Sequence, residues 1–199
     1  MITPQQWNDG RYDTDFHVAH PSFMAHFIWL LVLTLAVVGA TLALSCVTPF
    51  AALAVALAGT VGLRASLSVM IAVWLANQII GFGLFHFPRT PDTFLMGLAI
   101  GGAAVAGTMV AWWVLNHLRS RRVLLRLGVA LLASFATYEL TLLAAVVFLG
   151  DLETFRPAII AELGFVNVVS LAGMIALNEA LAAVCRPWPG RIPRFVRSS

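Results

Sequence analysis

Three long stretches of this chain carry no charged side chain: residues 16–63, 65–88 and 93–118. A helix needs about 20 apolar residues to cross the roughly 30 Å hydrocarbon core of a bilayer, and each stretch is long enough for at least one crossing. They are too long to be buried helices of a soluble domain. Soluble domains carry about 25% charged residues to cover their surface. Here the figure is 11%, against 60% hydrophobic residues. Inside lipid every backbone N–H and C=O must be paired within the segment, which a helix does and an open strand does not. The chain therefore reads as an all-α integral membrane protein.

Polar and helix-breaking residues divide it into six spans. The first covers about 27–47 and stops at Thr48-Pro49, and the second runs from about 49 to 63, Pro49 suiting a first helical turn. The third runs from 65 to about 87. Pro88, Pro91 and Asp92 mark the next turn, and the fourth runs from about 93 to 117. An arginine-rich connection leads into the fifth, about 123–149. A short acidic turn over 150–157 precedes the sixth, which ends near 185. The second span falls short of a full crossing at 1.5 Å per residue, so it is expected to tilt into the interior or re-enter. Six crossings put both ends on one side. Arg11, Arg64, Arg119, Arg121, Arg122, Arg126, Arg186, Arg191, Arg194 and Arg197 all fall on that side, against Arg89 and Arg156 on the other. The positive-inside rule makes that side cytoplasmic. The expectation is a six-transmembrane-helix bundle, N-in/C-in: a polar leader over 1–22, a membrane domain over 23–185 and a basic tail over 186–199.

This asymmetry accounts for the net charge of +3, and nucleic-acid binding is not needed to explain it. The leader lacks the basic start and cleavage site of a signal peptide. Cys46 and Cys185 fall at opposite ends of the membrane domain, far beyond the ~7 Å reach of a disulfide. No phosphate-cradling loop, zincin motif, paired-cysteine zinc site or serine elbow is present, and no nucleophile–base set is visible, so the chain is not read as an enzyme with a cofactor of its own. His17, His20 and His26 lack the spacing that an acid or cysteine would complete into a metal site.

Ionisable and amide side chains inside a span are costly and mark functional candidates. They are Asn77 and Gln78 in the third span, Tyr138 and Glu139 in the fifth, Glu162 and Asn167 in the outer half of the sixth, and Asn178 and Glu179 in its inner half. Most lie in outer halves, where an outward-opening cavity needs hydrogen-bonding groups. His86, Phe87 and Cys46 stand at its mouth. Each has a structural use as well. Asn77, Gln78 and Asn167 can bond across helices, worth about 0.6–2 kcal/mol each, Cys46 can fill space, and Glu179 can pair with cytoplasmic arginines. Glu139 is hardest to dismiss, because no basic residue lies inside any span. Small residues four apart, Ala36/Ala40 and Gly39/Ala43 in the first span and Gly97/Gly101 and Ala103/Gly107 in the fourth, let helices approach closely, within the bundle or against a partner.

The run Cys46-Val-Thr-Pro-Phe-Ala-Ala-Leu-Ala and the six-span layout resemble the S-components of energy-coupling factor (ECF) vitamin transporters. The run Trp74-Leu-Ala-Asn-Gln-Ile-Ile-Gly-Phe-Gly-Leu-Phe-His-Phe-Pro88 is similar to the solitary, BtuM-like cobalamin type. The resemblance implies a bacterial inner-membrane, substrate-binding subunit with cobalamin as ligand. Its pocket would open outward and be lined by Asn77, Gln78, Tyr138, Glu139, Glu162 and Asn167. It further implies a coupling subunit with two ATPases as partners, with Ala36 and Ala40 packing on the coupling subunit. In that type a cysteine after the third span contacts cobalt and helps remove cyanide. This loop has none, which leaves His86 or Cys46 as the axial ligand and the cyanide chemistry in doubt. The competing expectation is a small oligomeric ion or metal channel, or permease, using Glu139 and Glu162.

Overall fold

The computed structural model describes residues 48–118, 122–149 and 157–184, together with positions 31, 32, 34 and 39. Positions 31, 32, 34 and 39 are helical, and the other described residues form five helices and no strand: α1 (Phe50–Thr60), α2 (Leu63–Gly83), α3 (Pro91–His117), α4 (Val123–Leu149) and α5 (Pro157–Val184). The last four are long and apolar enough to cross a membrane. Large apolar side chains stand on their outer surfaces, among them Phe148, 90% exposed, Ile79, Leu132 and Phe165. In water so much exposed apolar surface would drive association. In lipid it is the ordinary outer face of a multi-pass protein.

α1 differs from the span expected over 49–63. It has 11 residues, about 16 Å at 1.5 Å per residue, half of a crossing. The structure gives it the interior course. Phe50 through Leu57 are 0–3% exposed, and α2, α3, α4 and α5 all pack around it. A helix apolar on every side has no face to turn outward and is buried whole. Its four buried alanines, Ala51, Ala52, Ala54 and Ala56, let neighbours approach from several directions, while Leu53, Val55 and Leu57 fill the space between them. Lipid is as apolar as leucine, so this packing is held by dispersion contacts and hydrogen bonds. The first span, over 27–47, lies almost wholly outside the described residues, as do the leader and the tail.

The other boundaries shift by a few residues for local reasons. α1 ends in two extended residues, Val61 and Gly62, and α2 follows at once. α3 starts at Pro91 because Thr90 caps it, the Thr93 amide donating to the Thr90 hydroxyl at 3.4 Å. α2 stops at Gly83, four residues before the expected 87, because the chain reverses at His86.

The hairpins are antiparallel. Trp74 Nε1 donates to the Gly97 carbonyl at 2.8 Å. A Cβ on Gly97 would meet the Gln78 amide, and one on Gly101 would lie 2.6 Å from the Trp74 ring. On another face of α3, Gly107 faces Ser134 of α4. Gly97, Gly101 and Gly107 of α3 are therefore spent inside the bundle, whereas nothing among the described residues lies within 4 Å of a Cβ on Gly39. Arg126 closes the α3–α4 turn by donating to the Leu115 carbonyl, an acceptor in the last turn of α3 with no partner within its helix.

Candidate functional site

Among the described residues, the filled core lies in one half of the bundle. Toward the Arg126 end, residues from every helix are buried against α1. Toward the His86 end the helices contribute little. None of residues 157–166 is buried; Gly81 alone is buried in 74–83, Gly97 alone in 91–100 and Val146 alone in 136–148. Among the described helices, α1 is too short to extend into that half.

Its first turn forms the floor of the other half, and three of the intramembrane polar residues, Asn77, Tyr138 and Asn167, meet it there, while Asn178 is buried in the inner half of α5. Asn77, Tyr138 and Asn167 stand about 21 to 26 Å above the Arg126 ends of their helices at 1.5 Å per residue. Thr48 Oγ1 donates to Asn77 Oδ1 at 2.9 Å. The Ala52 amide donates to Asn167 Oδ1 at 2.9 Å, and Asn167 Nδ2 donates to the Leu163 carbonyl at 2.9 Å. The Tyr138 ring packs on Phe50, centroids 6.0 Å apart. These bonds have a physical cause. The first amides of any helix lack internal acceptors, Pro49 supplies no side-chain cap, and no water reaches a buried turn. Asn167 therefore serves as the cap, from a helix far along the sequence.

The predicted site residues fall into two groups. Asn77 and Asn167 are committed to internal hydrogen bonds around α1. Gln78, Tyr138, Glu139, Glu162 and His86 make no side-chain hydrogen bond among the described residues, and one Glu139 carboxylate oxygen is fully enclosed without a partner. Gln78 lies over Gly97, and Glu162 is exposed near the start of α5. Cys46, Ala36, Ala40, Cys185, His17, His20 and His26 lie outside the described residues. No group of three or more His, Cys, Asp or Glu side chains comes together for a metal ion among the described residues.

His86 sits at the apex of the loop between α2 and α3. Its φ is 54°, in the left-handed region, and its side chain is exposed. Phenylalanines flank it in the chain and pack on one another. Phe85 and Phe87 stack at 6.2 Å, Phe87 meets the edge of Phe82 at 6.4 Å, and Phe82 stacks on Phe94 of α3 at 4.8 Å. Phe87 is thus part of the loop's aromatic frame.

Sequence reasoning did not single out Thr48, Ser134 or Gly81. Thr48, a lone hydroxyl beside Pro49 at a span boundary, carried a usable signal. Ser134 and Gly81 gain their significance from the residues opposite them, Gly107 and Phe87. No protein-family model, curated protein or solved structure matches the chain.

Proposed function

We propose that this chain is the substrate-binding membrane subunit of a vitamin uptake system, with cobalamin as the ligand held at the His86 end. The observation that carries the reading is the half-filled bundle: α1 packs one half and roofs it with a polar turn, and the opposite half keeps few buried side chains. Glu139 and Gln78, with no internal hydrogen bond among the described residues, face that half, and Tyr138, packed on Phe50, stands at its floor. His86, on a turn framed by phenylalanines, supplies an exposed imidazole, a competent ligand for cobalt, beside apolar rings suited to a flat macrocycle. Cys46 is the other candidate axial ligand. Six helices, both termini in the cytoplasm of a bacterial inner membrane, and an ECF coupling subunit with ATPases docking at Ala36 and Ala40 belong to the same proposal. The test is the absorption spectrum of detergent-purified protein with added cobalamin. A bound corrinoid band that shifts in His86→Ala or Cys46→Ser identifies the ligand, and protein that binds no corrinoid removes cobalamin from the reading.

A second reading rests on Glu139, whose enclosed, partnerless carboxylate oxygen suits a cation or proton path. It requires ion flux in vesicles without any ATPase and loss of that flux in Glu139→Gln. Absence of flux from wild-type vesicles rules it out.

A further inference from the structure

The loop after α2 is built around a contact that the vitamin-binding reading does not require. α2 closes with the Leu84 and Phe85 amides both donating to the Ile80 carbonyl, at 2.8 and 3.1 Å. The chain then turns back through the left-handed His86, and the Phe87 amide returns to the Gly81 carbonyl at 3.1 Å. The Phe87 ring lands on the α-carbon of Gly81. A Cβ there would lie 2.8 and 2.9 Å from two ring carbons, closer than real Cβ contacts come. Phe85 stacks on that ring and Phe82 meets it edge-on, so a methyl on Gly81 would have to push the ring out of this arrangement. Left-handed backbone costs a β-carbon-bearing residue roughly 1–2 kcal/mol, and such a conformation persists only where its surroundings over-determine it. Here those surroundings are the seated Phe87 ring and the returned Phe87 amide.

We infer that Gly81 and Phe87 are positioning residues for His86: the ring seated on the glycine holds the His86 turn left-handed and keeps the imidazole presented at the His86 end of the bundle. As a role in ligand binding this rests on the vitamin-binding reading; as a statement about His86 it stands without it. The test uses full-length protein in detergent. The reactivity of His86 toward diethyl pyrocarbonate is measured by peptide mass spectrometry, and aquocobalamin is titrated in parallel. Gly81→Ala and Phe87→Ala should each change the His86 modification rate several-fold, while modification of His117, at the opposite end of the bundle, stays at the wild-type rate. The double variant should behave like Phe87→Ala alone, because with the ring gone the added methyl has nothing to displace. Phe87→Leu, which keeps apolar bulk but not the flat ring, should fall between. A wild-type His86 rate in Gly81→Ala, or effects that add in the double variant, would overturn the inference. If the His86 rates follow this pattern and aquocobalamin does not bind wild-type protein, the positioning role stands and the vitamin reading fails. If aquocobalamin binds wild type and Gly81→Ala equally while the His86 rates change, the positioning role stands for the loop but not for the ligand.

Discussion

The amide of Ala52 offers the sharpest test of why α1 can begin inside the bundle. It is fully buried, and its acceptor is Asn167 Oδ1, 2.9 Å away on a helix 115 positions further along the chain. Asn167→Leu keeps similar bulk and removes the acceptor. Leaving a buried donor unsatisfied costs about 1–3 kcal/mol, while hydrogen bonds between membrane helices average about 0.6 and reach about 1.7 kcal/mol. The expected loss is therefore about 1–2 kcal/mol, a Tm shift of roughly 2–8 °C at the ~2–4 °C per kcal/mol of a chain this size. Ala52→Pro supplies the control. It deletes the donor, and the cost of its own ring in the packed first turn cancels in the cycle, so Asn167→Leu should cost little in that background. Unfolding in mixed dodecyl sulfate and maltoside micelles, followed by fluorescence of the six tryptophans, gives the four corners of the cycle. A coupling of about 1–2 kcal/mol supports the cap. Strict additivity, within the ~0.5 kcal/mol seen for independent sites, would mean that packing alone sets where α1 starts and that Asn167 is free for a ligand.

Two further expectations concern packing and orientation. Gly101→Ala should lose about 1–3 kcal/mol, because its methyl would lie 2.6 Å from a Trp74 ring pinned by its own bond to Gly97. Gly102→Ala, with nothing within 4 Å, should be neutral or gain up to about 1 kcal/mol from helix propensity; equal losses at the two positions would contradict the packing described. For orientation, single cysteines replacing His86 or Arg122, in a background without Cys46 and Cys185, are probed on intact cells with an impermeant maleimide. The His86 position should label from outside and the Arg122 position only after permeabilisation, and the reverse pattern would overturn the N-in/C-in reading.

Much of the helical plan was legible in one dimension. Uncharged length located α2 and α3, the arginine-rich and acidic connections set off α4 and α5, and for α4 the expected 123–149 is the observed range. Pro88, Pro91 and Asp92 marked the α2–α3 turn but not the His86 reversal that shortens α2, since a left-handed histidine has no sequence signature comparable to glycine's. The spacing of Gly97, Gly101 and Gly107 announced close approach but not its object. Gln78, Trp74 and Ser134 became that object only once α2 and α4 lay on different faces of α3. Among the polar residues, the sequence could count intramembrane amides and carboxylates but could not separate Asn167, which closes a buried helix start, from Glu139, which has no partner.

Composition and charge runs by themselves determined that this chain is helical and membrane-embedded, because lipid leaves a backbone few other ways to pair its polar groups. Only the tertiary structure decided that residues 50–60 form a buried half-length helix enclosed by the other four. That outcome turns on whether neighbours arrive to cover an all-apolar segment and to satisfy its first amides, and those neighbours come from positions as distant as Asn77 and Asn167.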